Sequence, residues 1–312
     1  MEGLSSYRTV AEQLGERIGS ISARRINGWV QDLGALAATP LEMSTRLTPS
    51  WGGVLGVDGK AIWAAGREGA LMVAVDQRTR DVVHALVTSR ETTQGFHQAI
   101  HEAVAVAGYP LKGLVTDAFQ GVTGMWRNYF AAVPLQLCRV HYDRGLDFYL
   151  PSGRMNPDKQ SPRVALRIEL KARLRDVIHA RTERDAWQLF AEVRRDQHRY
   201  LAALSGRRNP IRSLEQHWDH FMAHHRTPDL PADNNITENV IKQFARKLRL
   251  IEGFGDLSSA DCFLRLLVAR YRFRRFTDAK PATNHRSPLE LAGVPTRNQD
   301  WLAHALTLRR QH

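Results

Sequence analysis

Cysteine is scarce in this sequence, and several common targeting signals are missing. Cys138 and Cys262 are the only two cysteines and stand far apart, which excludes a disulfide framework and fits a reducing compartment. No apolar run approaches the roughly 18 residues of a membrane span. The first residues also lack the basic and apolar regions of a secretory signal. We therefore expect a soluble protein of a reducing cytoplasm, with no membrane partner.

Two familiar ligand-binding patterns are absent as well. The segment Gly-Val-Asp-Gly-Lys, which ends at Lys60, is too short for a glycine-rich phosphate loop. Cys138 and His141 have the two-residue gap of a zinc half-site, but the other cysteine, Cys262, has no histidine at zinc spacing. These absences argue against a nucleoside triphosphatase and a closed structural zinc site. We interpret Cys138 as a buried thiol and His141 as a support for a polar cleft.

The charge is strongly positive and unevenly distributed. The net charge is +12 and the isoelectric point is near 10.2. Residues 1–150 carry equal numbers of basic and acidic side chains, so the whole excess lies in residues 151–312. Solvated helix faces are one interpretation. A polyanionic partner bound through its backbone phosphates is the interpretation that we prefer.

The apolar pattern predicts a mixed α/β core after a helical start. It predicts three strands first, at 54–57, 70–75 and 82–87. A helix at 93–107, a strand at 114–116, a helix at 120–130 and a strand at 135–139 follow. Three meander strands followed by alternating helix and strand is the order of an RNase H-like mixed sheet. In that order the first and fourth strands are neighbours.

The rest of the chain is predicted to be helical. Helical apolar spacing at 164–181, 183–204 and 211–224 indicates an all-helical insertion, and a final strong helix is predicted at 258–276. The domains that we predict are a helix-turn-helix-like segment (1–48), the first part of the RNase H-like core (51–152), the helical insertion (153–231), the final core helices (232–278) and a C-terminal tail (279–312).

The N-terminal segment contains a candidate DNA-reading helix. Helices are predicted at 7–14 and 22–33, followed by a linker at 35–50. Arg24 and Arg25 fall early on the second helix, where base edges are usually contacted. A small helical hairpin that packs elsewhere is the alternative, because the segment has no net charge.

Three acidic residues are the candidate catalytic groups. Asp58 and Asp117 each follow a predicted strand, and Glu238 opens a predicted helix. Each has a plain structural alternative, since the aspartates suit turns or strand ends and Glu238 suits a capping box begun by Asn235. If the first and fourth strands are neighbours, however, the two aspartates repel each other unless a cation lies between them. Carboxylate oxygens are the ligands that Mg²⁺ prefers.

The predicted helix of Glu238 also has a basic face. At about 100° per residue, its apolar side chains cluster on one side. Glu238, Lys242, Arg246 and Arg249 lie opposite, as expected for a metal ligand beside a phosphate track. A solvated helix face is the alternative interpretation.

The chain resembles DDE transposases of the Mutator-like (MULE) superfamily of bacterial insertion sequences. The matching motifs lie at residues 57–60, 115–121, 135–144 and 234–242. The resemblance implies a catalytic and metal-binding triad of Asp58, Asp117 and Glu238 that holds two Mg²⁺ ions, with Mn²⁺ as the alternative ion. It also implies that Cys138 and His141 form the family's Cys-x-x-His signature, with Arg144 as a further supporting residue.

A DNA transposase is therefore the expected function. Such an enzyme cleaves phosphodiester bonds at insertion-sequence ends and transfers the strands, acting on double-stranded DNA as a nucleoid-associated homo-oligomer. Arg24, Arg25, Lys242, Arg246 and Arg249 are the candidate DNA contacts. The alternatives are a metal-dependent nuclease or resolvase without strand transfer, and a non-catalytic DNA-binding protein derived from a transposase.

Overall fold

The chain divides into two compact units. The computed structural model describes residues 6–119, 121–151, 161–201, 204, 209–251, 253–277, 281–296 and 299–310. The first unit comprises Met1–Lys112 and Asn235–His312, and the second comprises Gly113–Asn234. None of the helices in the described part combines the length and apolarity needed to span a bilayer.

The first unit contains three strands and eight helices among its described residues. They are α1 (Tyr7–Ile18), α2 (Ala23–Leu36), α3 (Pro40–Leu47), β1 (Val54–Ala64), β2 (Arg67–Asp76), β3 (Val82–Thr88), α4 (Thr93–Ala105), α13 (Asn235–Leu248), α14 (Leu257–Phe273), α15 (Pro288–Leu291) and α16 (Trp301–Arg310). β1, β2 and β3 form an antiparallel meander.

The second unit contains a parallel strand pair and a series of helices. Its elements are β4 (Gly113–Thr116), α5 (Val122–Tyr129), β5 (Leu135–Leu137), α6 (Arg139–Tyr149), α7 (Pro162–Ile178), α8 (Glu183–Arg195), α9 (Gln197–Leu201), α10 (Pro210–Gln216), α11 (Trp218–Phe221) and α12 (Ala223–Arg226). β4 pairs with β5 in parallel. With the antiparallel meander of the first unit, this gives the chain a mixed α/β fold.

The core of the first unit lies between one face of the meander and the helices α13 and α14. Val73 of β2 packs in the same buried cluster as Val240 and Phe244 of α13 and Leu264 and Val268 of α14. Apolar residues recur every three or four positions along both helices, so each helix places one continuous apolar side on the sheet.

A buried ion pair links several elements of the first unit. Arg272 of α14 donates from Nε and Nη2 to the two carboxylate oxygens of Asp81, at 2.8 and 2.7 Å. Both side chains are fully buried. Asp81 also accepts from Trp51 Nε1, and Arg272 donates to Ser44 Oγ of α3. Because all these groups are removed from water, each depends on its partners in the network.

Several predicted boundaries differ from the structure. The first strand was predicted to end at Val57, but β1 continues to Ala64, so Asp58 lies within the strand. Part of the predicted linker forms α3, whose capping box pairs Thr39 with Glu42. The end of the predicted tail forms α16, which contributes Ala305 to the core.

The second unit corrects the prediction at three places. The predicted strand 135–139 ends at Leu137, and Cys138 and His141 lie at the start of α6, a helix that was not predicted. The helix predicted at 183–204 is divided into α8 and α9. The helix predicted at 211–224 is divided into α10, α11 and the start of α12.

Candidate metal centre

Asp58 lies on the face of the meander that packs against α13 and α14 in the first unit. Its Cα partner across the strand pair is Val73, and directly opposite residues of an antiparallel pair share a face. Val73 packs against α13, so the half-buried Asp58 side chain points to the same side as that helix. Its Oδ1 accepts a hydrogen bond from the backbone N–H of Gly59 at 2.7 Å.

Gly59 lies close to a carboxylate on the opposite face. A Cβ at this position would lie 2.7 Å from the carboxyl carbon of Glu91, so the exposed Glu91 side chain would have to move to admit a larger residue. Glu91 is not among the residues that the sequence pattern predicts for the site. A turn was the alternative interpretation of the Asp-Gly dipeptide, whereas both residues lie within an uninterrupted strand.

Glu238 lies in the first turn of α13, on the Asp58 side of the meander. Its side chain is only 6% exposed and forms an ion pair with Lys242 Nζ at 3.2 Å. The start of α13 is fixed by a hydrogen bond from Gln77 Nε2, just after β2, to Thr237 Oγ1 at 2.9 Å. Beyond the helix, Phe254 forms a bridge with Ala64 at the end of β1. These two attachments fix the direction in which α13 runs along the sheet.

Asp117, Cys138 and His141 form a compact group in the second unit. Each offers one ligand-type atom, and the three atoms lie within 4.8 Å of one another. Asp117 directly follows β4, Cys138 precedes α6, and His141 occupies the first turn of that helix. The parallel pairing of β4 with β5 brings these three residues together, because Asp117 and Cys138 follow aligned strand ends.

Hydrogen bonds and charge fix the state of this group. His141 Nδ1 lies 2.7 Å from Asp117 Oδ1, and Cys138 Sγ accepts the backbone N–H of Asn234 at 3.3 Å. Burial, the largest single effect, acts to lower the pKa of His141, but its hydrogen bonds and charge interactions with Asp117 and Cys138 raise that pKa to about 10. At neutral pH, His141 is therefore a cation paired with Asp117.

The donor atoms divide into two chemical kinds. Asp58, Asp117 and Glu238 offer only carboxylate oxygens, which suit the hard ions Mg²⁺ and Mn²⁺. Cys138 and His141 offer sulfur and nitrogen, which suit softer ions. A protonated imidazole cannot coordinate a metal through either nitrogen. In the metal-free protein, the ion pair with His141 therefore holds one oxygen of the Asp117 carboxylate.

The predicted DNA contacts occupy exposed positions. Arg24 and Arg25 lie in the first turn of α2, where Ser22 caps the helix, and the Arg25 guanidinium lies 5.8 Å from the Trp29 ring. Arg144 is exposed on α6. In the first unit, Lys242 and Arg246 line a cavity beside α13.

Arg249 lies beyond the end of α13 and is not among the lining residues of this cavity. Arg249 was predicted as a phosphate contact on the assumption that the helix continues to residue 251. The helix ends at Leu248 instead.

Gln136 of β5 ties the strand pair of the second unit to its last helices. Its Nε2 donates to Phe221 O at 3.0 Å, and its Oε1 accepts from the backbone N–H of His224 at 2.9 Å. The His224 ring Nδ1 lies 3.1 Å from the same Oε1. Because that oxygen can only accept, Nδ1 carries the proton of a neutral imidazole.

This arrangement predicts that the second unit loses stability in mild acid. Burial first, then His225 and Arg139, lower the pKa of His224 to about 4, whereas an unfolded histidine titrates near 6.5. The unfolded chain therefore binds the additional proton as the pH falls from about 6.5 to 4, which lowers the free energy of unfolding over that window. Urea unfolding at pH 7 and pH 4.5 measures this loss.

The matched control is His224→Asn, whose side-chain amide can donate in place of Nδ1–H but does not titrate. We expect its stability to fall less than that of the wild type between the two pH values. An equal fall in both proteins would contradict the assignment.

Comparisons with known proteins place the chain in a family. Residues 72–261 match the family described as Transposase IS66 family. Asp117, Cys138, His141 and Glu238 lie inside the matched range, and Asp58 lies before it. No curated protein matches the sequence significantly.

Solved structures show a weak likeness. An example is the cryo-EM structure of the simian T-cell lymphotropic virus intasome in complex with PP2A regulatory subunit B56 gamma, with 13% identity and a TM-score of 0.31. The likeness covers 81% of this chain and 58% of that chain, so the present chain matches little more than half of that protein's length. A likeness of this strength carries no argument about function.

The family match corrects one prediction and confirms another. The Mutator-like superfamily was the wrong assignment, because the short motifs that carried it are too small to separate one DDE-type superfamily from another. The broader assignment to DDE-type transposases is confirmed. The chain belongs to the IS66 family of transposases.

Proposed function

We propose that this protein is a DNA transposase that cleaves phosphodiester bonds at the ends of an insertion sequence and transfers the strands to target DNA. The observation that carries the proposal is the match of residues 72–261 to the IS66 transposase family. The positive net charge of +12 supports a polyanionic substrate.

The proposed catalytic groups are the carboxylates of Asp58, Asp117 and Glu238. The proposal requires β1 and β4 to be neighbours, as in an RNase H-like sheet, so that the two aspartates meet beside Glu238. Two bound Mg²⁺ ions, or Mn²⁺ ions in their place, would activate the attacking oxygen and stabilise the leaving oxygen. Oxygen-only donors fit these ions, as the side chains of all three residues do.

Neighbouring side chains would hold these carboxylates in place. His141 forms an ion pair with Asp117 and holds its orientation, and partners of this kind typically change metal affinity or activity about 10- to 100-fold when they are removed. Lys242 offsets part of the charge of the buried Glu238. We class His141 and Lys242 as positioning residues, with Cys138 and Arg144 as further support from α6.

The proposed partner is double-stranded DNA, both at the transposon ends and at the target. Arg24 and Arg25, exposed at the start of α2, are suited to contact bases or phosphates there. Joining two DNA ends to a target favours a homo-oligomer, and such an enzyme would act at the nucleoid in the cytoplasm.

A strand-transfer assay tests the proposal against its nearest rival. Purified protein is mixed with precut donor ends and a circular target in Mg²⁺, and the joined products are resolved on a gel. We expect joined products that depend on the divalent ion. Cleavage without joining would indicate a nuclease or resolvase, and DNA binding without either reaction would indicate a non-catalytic DNA-binding protein.

A further inference from the structure

A basic groove lies in the first unit, along α13 and the C-terminal part of α14. It is a cavity of about 580 Å³. Among the described residues, its walls carry seven cationic side chains and no carboxylate. The cations, which define the basic groove, are Arg80, Lys242, Arg246, Lys247, Arg270, Arg274 and Arg275.

The cations come from three separate parts of the chain. Lys242 and Arg246 are one helical turn apart on α13, and Arg270 and Arg274 are one turn apart at the end of α14. Arg80 lies in the turn between β2 and β3. Tertiary folding therefore assembles the charge, which is not simply a basic run of sequence.

The base of the groove is rigidly packed. Phe244 of α13 and Tyr271 of α14 meet edge to face with ring centroids 5.7 Å apart, and both are buried. The Tyr271 hydroxyl donates to Arg80 O at 3.0 Å, and the Arg80 guanidinium lies 5.4 Å from the Phe276 ring. These contacts hold the two helices and the turn together, so the backbone positions that carry the cations are fixed.

Electrostatic interactions between the groove residues are unfavourable without an anion. Burial first, then the charges of Arg270 and Arg274, lower the pKa of Lys247. Lys242 is paired with Glu238, and Arg275 is paired with Glu290. Bringing seven cations to one cavity is costly unless a polyanion occupies it.

We propose that the basic groove binds the phosphodiester backbone of a DNA duplex, independently of base sequence. The inference rests on the proposed function and extends it by assigning a second DNA-binding surface in the first unit. A duplex carries one charge per about 1.7 Å of its axis, so neighbouring phosphates can meet several groove cations together. Five of the seven cations are arginines, whose planar guanidinium groups match phosphate oxygens in pairs.

The test is the salt dependence of DNA binding by a triple variant, Lys247→Gln, Arg270→Gln and Arg274→Gln. Affinity for a short duplex of random sequence is measured in EDTA at several salt concentrations, so that no cleavage occurs. Each lost phosphate contact should reduce the slope of log K against log salt by about 1. Because three contacts are lost, we expect the slope of the triple variant to be shallower than that of the wild type by about 3. Binding should weaken for every sequence.

The matched control removes the same charges elsewhere on the first unit. Arg67→Gln, Arg90→Gln and Lys112→Gln change exposed side chains outside the groove and should leave the slope as in the wild type. A second groove variant, Arg270→Lys with Arg274→Lys, keeps the charge and should keep the slope.

Three outcomes would overturn the inference. They are an unchanged slope in the glutamine variant, an equal loss in the lysine variant, and a slope change confined to RNA. If the wild type joins strands while the glutamine variant retains the full slope, the groove assignment fails and the proposed function stands. If the wild type neither binds duplex DNA nor joins strands, the proposed function itself fails.

Discussion

Replacing Asp58 with asparagine should reduce metal-dependent DNA cleavage and joining by more than about 100-fold, since loss of a metal ligand should exceed the 10- to 100-fold effect of losing an outer partner. Asparagine keeps an oxygen that can accept the Gly59 N–H, so the local hydrogen bond survives. The change removes one negative charge where the proposed ions would bind. Gel assays of product formation at fixed Mg²⁺ measure the loss.

DNA binding by the Asp58→Asn variant should remain close to that of the wild type, because the proposed phosphate contacts lie on other residues. The matched control is Glu68→Ala, which removes an exposed carboxylate from β2, in the same meander. Full activity in the Asp58→Asn variant, or an equal loss in the Glu68→Ala variant, would refute the catalytic assignment.

Replacing Arg272 with methionine should lower the free energy of unfolding by about 3–5 kcal/mol, the usual cost of leaving a buried charge without its partner. Asp81 would remain fully buried with the Trp51 N–H as a donor but without its counter-charge. The network also joins α14 to Ser44 of α3, so its loss loosens three parts of the first unit. Thermal or urea unfolding measures the change.

The control for this prediction is a similar ion pair at the surface. Arg275 pairs with Glu290 at 2.6 Å, and its side chain is 41% exposed. Arg275→Met should lower the free energy of unfolding much less than Arg272→Met does, because exposed pairs contribute little. Equal effects of the two substitutions would show that burial does not determine the strength of the Asp81–Arg272 pair.

The sequence predicted the order of the principal strands because their patterns are local. β2 and β3 alternate or run apolar over six or more residues, and the helix after them carries its own Thr92 cap. Such signals depend on neighbours in the chain and are visible without the fold.

Boundaries failed where tertiary contacts override local signals. The first strand was predicted to end at Val57, yet Gly59 and Lys60 pair with Met72 and Leu71 of β2. The ladder hydrogen bonds of that pairing outweigh the weak strand preference of glycine. The length of β1 is therefore determined by its partner strand.

Some missed elements had readable signals. At the start of α3, Thr39 is the cap, Pro40 is the first helical residue and Glu42 stands three residues after the cap. This combination is typical of a helix start. The prolines drew the interpretation toward a linker instead. Here the pattern was present and was misinterpreted.

Other features could not be predicted from one sequence. Asp81 and Arg272 are 191 residues apart, and no local pattern distinguishes a buried arginine from an exposed one. The cations of the basic groove likewise come from distant segments. For the candidate metal centre, the sequence identified the residue types and their order, and folding determines which of them meet.

A crystal structure of the protein soaked in Mn²⁺, with anomalous density to locate the ions, tests the central claim most directly. The account predicts two ions about 3.5–4 Å apart, with oxygen ligands from Asp58, Asp117 and Glu238. Ions bound only by Asp117, Cys138 and His141, with Asp58 and Glu238 outside coordination distance, would contradict it.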